Sequence, residues 1–97
     1  MHRYLERTYV VTPDGSGEPR KVVFQVSVPH RNADGDYVAA LIVRDGPGDP
    51  RVVQFPSTDA RNAISSALSL ARSMILALHR RNKGRVTLNG KKSAEWM

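Results

Sequence analysis

From Asp59 to about Asn82, apolar residues return every three or four positions: Ala60, Ala63, Ile64, Ala67, Leu68, Ala71, Met74, Ile75 and Leu78. That spacing follows the 3.6-residue turn and predicts an amphipathic helix over 59–82, about 24 residues and roughly 36 Å long. Nothing else constrains the chain as much, because a helix with one apolar face must lay it on another layer. Both ends carry boundary signals. Ser57, Thr58 and Asp59 follow Pro56, and each suits the N-cap. Arg80, Arg81 and Lys83 fall where the helix dipole favours cations, and Gly84 suits the left-handed position beyond the last turn.

The layer beneath has to come from the residues that precede the helix, and these read as strands. Clusters of Gly or Pro with Asp, Asn or Ser fall at 13–19, 32–36, 45–50 and 56–59, and such residues set turn backbones. Between them lie runs rich in Val, Tyr, Phe and Thr at 5–12, 21–29, 37–44 and 51–55. In the second run Val22, Phe24, Val26 and Val28 alternate with Val23, Gln25 and Ser27, so one face points to a core. The third run is apolar on both faces, which predicts a central strand covered on both sides, or one whose outer face meets a second subunit. Beyond Gly84, Val86 and Leu88 alternate with Arg85, Thr87 and Asn89 and predict a short last strand. The expected class is α+β: an antiparallel meander of about four strands packed by one long C-terminal helix. The strand region occupies 4–56, the helix 59–82, and the short strand with a basic tail 85–97.

At 97 residues the chain makes a single domain, 1–97, with little room for a cofactor cavity. It has no cysteine, which excludes a disulfide framework and a thiol nucleophile. The longest apolar run, Val38 to Val43, is far shorter than the roughly 20 residues needed to span a bilayer, so a cytoplasmic protein is expected. The net charge of +6 is unevenly placed. Residues 1–60 carry seven basic and eight acidic side chains, whereas residues 61–97 carry eight basic against Glu95 alone.

On a helical wheel Arg61, Arg72 and His79 fall within about 20° of one another along one border of the apolar arc. Continued by Arg80, Arg81, Lys83, Arg85, Lys91 and Lys92, this basic surface offers contacts to an anion or to nucleic-acid phosphates. Base stacking needs exposed rings as well, and an outer sheet face shared by Tyr4, Tyr9 and Tyr37 is the arrangement that would provide them. Leu76 falls on the polar side of the wheel and Leu70 near its margin. The apolar arc is therefore wider than one sheet face covers, and these two leucines are candidates for self-association.

Catalytic patterns are missing. His2, His30 and His79 have no metal-ligand spacing, and Asp34 and Asp36 around Gly35 suit a hairpin turn better than a calcium loop. Gly84 and Gly90 are one position too far apart for a phosphate-binding loop, and Lys92 stands where that motif needs Ser or Thr. The helix serines Ser65, Ser66, Ser69 and Ser73 have no paired base. We therefore expect no enzyme activity, no metal and no cofactor.

The order of parts, with Glu6-Arg7-Thr8 in an opening strand, two long strands around Asp34-Gly35-Asp36, a capped amphipathic helix and a short Val86-Thr87-Leu88 strand, resembles a family of small uncharacterised bacterial domains. The resemblance implies one sheet with one packed helix and carries over no site. In outline the arrangement is also similar to the single-stranded-DNA-binding coactivator fold, which dimerises through its helix. The expected function is a non-enzymatic binding or regulatory module whose partner is another protein or a second copy of itself. A nucleic-acid binder and a small phage-type or toxin-neutralising inhibitor are the alternatives. No membrane and no small-molecule substrate is indicated.

Overall fold

The computed structural model describes residues 3–12, 18–82 and 86–88. Strands β1 (Arg3–Val11), β2 (Arg20–Ser27), β3 (His30–Arg31), β4 (Tyr37–Asp45) and β5 (Arg51–Ser57) precede helix α1 (Ala60–Asn82), and β6 (Val86–Leu88) follows it. All strand pairs are antiparallel, and together they form one six-stranded sheet. Across the sheet the order is β5, β4, β2 with β3, β1 and β6. The helix lies on one face, so the fold is the expected α+β arrangement of a meander and one long helix.

Of the boundaries that differ from those expected of the sequence, two have a physical cause in the prolines. The second strand does not run unbroken to Pro29. Between the pairs Val26↔Leu41 and His30↔Val38, the β2–β3 side advances four residues while β4 advances three, and the extra residue is a bulge. Proline has no N–H to give to a ladder, so the interruption falls where the chain loses a donor. The buried Ser27 hydroxyl repairs the ladder by accepting the Ala40 N–H at 2.9 Å. The fourth strand, in turn, continues through Pro56 to Ser57. A proline is tolerated there because β5 pairs with β4 alone and lies at the edge of the sheet.

The β3–β4 turn is held by Asn32. Its Oδ1 accepts the N–H groups of Asp34 and Asp36, each at 3.0 Å, and Gly35 supplies the positive φ of 87° that closes the turn. The helix starts as its cap signals predict. Asp59 Oδ1 accepts the Arg61 N–H at 2.8 Å, and the Asp59 carbonyl accepts the first helical bond from Ala63 at 3.1 Å. At the far end the Asn82 side-chain amide donates to the Leu78 carbonyl at 2.7 Å, satisfying one of the terminal acceptors.

Ala63, Ala67, Ala71, Ile75 and Leu78 make the buried face of α1. They meet Tyr9 and Val11 from β1, Val22, Phe24 and Val26 from β2, Ala39, Leu41 and Val43 from β4, and Val86 from β6. Alanine at three of the five buried helix positions leaves most of the core volume to the larger sheet side chains. The central position expected for the third apolar run is that of β4, between β2 and β5. Val38 and Ala40 are buried but stand outside the core under the helix, on the opposite face of the same strand.

Candidate functional site

The helix leaves β5 at Ser57 and brings His79 against Tyr9 on β1, so it crosses the sheet obliquely. Its two flanks therefore meet different surroundings. On the β1 side, Tyr9 is completely buried and packs edge-on against Phe24, with ring centroids 5.8 Å apart, and against His79, at 6.0 Å. Tyr9 is therefore not on an outer face with Tyr4 and Tyr37, the arrangement that would have provided rings for base stacking. Tyr9 lies one position out of phase with that face and points under the helix. Tyr37 is half-buried and packed against the core, and the side chain of Tyr4 lies outside the described residues. Burial raises the Tyr9 hydroxyl above its ordinary value of 10.0, with a smaller opposing effect from the Arg7 cation. Both Tyr9 Oη and His79 Nε2 are buried without a hydrogen-bond partner among the described residues.

The basic surface predicted along the helix is only partly assembled. Arg61, Arg72, Arg80 and Arg81 are exposed. His79 departs from them, because it is half-buried with its Nε2 covered, and a covered nitrogen is not presented to a phosphate. Arg81 lies on the opposite border of the helix from Arg61 and Arg72, so the four arginines do not make one stripe. Lys83, Arg85, Lys91 and Lys92 lie outside the described residues.

The two leucines expected to support self-association are also separated. Leu70 is half-buried and packs on the core, whereas Leu76, 41% exposed, stands alone on the outer side of the helix. Sequence reasoning missed a larger apolar exposure on β5, where Val52 is 53% and Val53 40% exposed. The two valines point to opposite faces of the sheet, since Val52 lies opposite Ile42 and Val53 opposite Leu41. The outer backbone edge of β5 is unpaired among the described residues. The adjacent valines were a legible signal of an apolar strand, but nothing in a sequence says that a strand will be the last of its sheet.

On the β5 side a cleft of about 200 Å³ opens between the C-terminal half of α1 and the ends of β2, β4 and β5. Phe24, Val43, Met74 and Leu78 line its apolar part, and Asp45, Arg51 and Arg81 its polar part. The Asp45 carboxylate is taken up by Arg20, whose Nε donates at 2.8 Å. Among the described residues there is no group of His, Cys, Asp or Glu fit to hold a metal, and no helix long and apolar enough to cross a membrane.

Comparison with protein-family models, with curated proteins and with solved structures gives no match for this chain. What stands of the family resemblance is the architecture, an antiparallel sheet with one long helix.

Proposed function

We propose that the chain is a non-enzymatic binding module that self-associates through the free edge of β5. The observation that supports this reading is the pair of exposed valines, Val52 and Val53, on a strand whose second edge is unpaired among the described residues. An open edge presents unsatisfied N–H and C=O groups in a row, and apolar side chains beside them make strand addition favourable. Proteins that stay monomeric usually interrupt such an edge with inward charges or a bulge. Between Arg51 and Pro56, β5 has neither a charged residue nor a register shift. Antiparallel pairing about Gln54 would set Val52 opposite Pro56 and Val53 opposite Phe55 of the second copy. Proline has no N–H, so it would end the shared ladder on each side.

The test is light scattering across concentration. The expected mass at tens of micromolar is that of a dimer, and Val53→Lys should return it to a monomer with an unchanged circular dichroism spectrum. A monomer of the parent chain at 100 µM would overturn the reading.

A second reading, phosphate contact with nucleic acid, draws on the exposure of Arg61, Arg72 and Arg80 along the helix. Against it, among the described side chains Tyr9 and Phe24 are buried and Tyr37 and Phe55 pack on the core, so none of these four rings is freely exposed for base stacking. Fluorescence anisotropy with single-stranded and duplex oligonucleotides at two salt concentrations separates the readings. Salt-dependent binding with a Kd below about 100 µM would favour nucleic acid.

A further inference from the structure

We propose that the cleft between α1 and β5 is a binding site for a small amphipathic monocarboxylate, an acid with an aromatic or branched aliphatic body. This goes beyond the edge-strand reading and does not depend on it.

The argument begins with charge. Arg51 comes from the first position of β5 and Arg81 from the last turn of α1, two elements far apart in sequence, and both side chains line the cleft. Both are exposed, and neither has an ion-pair partner among the described residues. The third polar group, Asp45, is turned to an ion pair with Arg20 but keeps its negative charge in an exposed setting. Two guanidiniums without an ion-pair partner among the described residues therefore stand at a recess whose other lining, Asp45 apart, is apolar. Planar guanidinium donors match the two oxygens of a carboxylate, and apolar walls strengthen that attraction by excluding water.

Shape and polarity limit the ligand further. A volume of about 200 Å³ is small for a ligand pocket and holds roughly ten non-hydrogen atoms, the size of an aryl-propionate or a branched short-chain acid. Phe24, Met74 and Leu78 offer the body an aromatic face, an adaptable thioether and a branched aliphatic surface. The carboxylate is directed towards Arg51 and Arg81 and away from Asp45, which would repel it. The C-terminal end of α1 carries the negative pole of the helix dipole, so the backbone there opposes an anion. Binding accordingly rests on the two arginines.

The test is a ¹H–¹⁵N NMR titration of the full chain with 3-phenylpropionate, with 3-phenylpropanol and L-phenylalanine as comparison probes. Saturable shifts at Phe24, Met74, Leu78 and Arg81 are expected, with a Kd of about 1 mM or tighter for a ligand of this size. Arg51→Gln and Arg81→Gln should each weaken binding at least about fivefold while leaving the rest of the spectrum in place. Ala77→Leu, which fills the cleft from its wall, should abolish it. Equal affinity for the alcohol, or unchanged affinity in both arginine variants, would overturn the proposal. Tighter binding of phenylalanine than of the acid would overturn it in favour of an amine held by Asp45, and no saturation by 10 mM would overturn it outright.

Discussion

The two edges of this sheet, β1 with β6 at one and β5 at the other, are buried to different degrees although one helix packs on the face between them. Towards β1 and β6, Tyr9, Val11 and Val86 are each no more than 1% exposed. Towards β5, two valines stand 40% and 53% exposed beside an open cleft. Composition does not explain the contrast, because β5 also carries adjacent valines and a phenylalanine, as β2 does. Position in the sheet does: β5 pairs with β4 alone, and Val52 points to the face away from the helix. The helix begins beside the end of β5, packs chiefly on β4 and β5, and reaches β1 through the ring contact of His79 with Tyr9, while β6 closes the far edge by pairing with β1. One helix covers one face of the sheet, and the edge strand keeps exposed apolar side chains on both.

The contrast can be broken from its centre outwards. Phe24 touches Tyr9 on the closed side and lines the cleft on the open one. Phe24→Ala should therefore have the largest effect, a loss of about 3–5 kcal/mol in urea unfolding. Ser27→Ala leaves the buried Ala40 N–H without its acceptor and should cost about 1–3 kcal/mol, read from the same experiment. The closed side also makes a prediction about pH. The Tyr9 hydroxyl is harder to ionise when folded than when unfolded, so stability is intact below pH 10 and falls as the pH rises through the folded value. Tyr9→Phe should remove that alkaline loss. Because the hydroxyl is buried without a hydrogen-bond partner among the described residues, the same change should cost less than about 1 kcal/mol at pH 7. The smallest effect belongs to the open side. Val52→Thr should shift stability by no more than about 0.5 kcal/mol while weakening self-association, which light scattering would detect.

Much of the fold was legible because its signals are local. The helix limits follow from period and caps: Asp59 occupies one of the three predicted cap positions and forms the expected bond to Arg61. The Asp34-Gly35-Asp36 turn was readable in its residue types, although Asn32 rather than either aspartate organises it. The bulge at Ser27 was not readable. It depends on which donor of β4 faces the interruption, and that is a matter of register between strands. The candidate site was less legible still. His79 shares an angular border with Arg61 and Arg72, yet the oblique helix presses its end onto Tyr9 while their positions stay in water. Arg51 and Arg81 are 30 positions apart, and no periodicity connects them.

The sequence by itself determined the four longer strands and the short one after the helix but not β3, and it determined where the helix begins, that its apolar face needs a sheet, and that positive charge gathers after residue 60. These are consequences of short-range backbone preference and of side-chain spacing along one chain. The tertiary structure alone decided that β5 is an edge, that Tyr9 is interior, and that two distant arginines share a cleft. The first follows from which strands pair, and the other two from where the helix lies on the sheet, which the packing of both surfaces sets together.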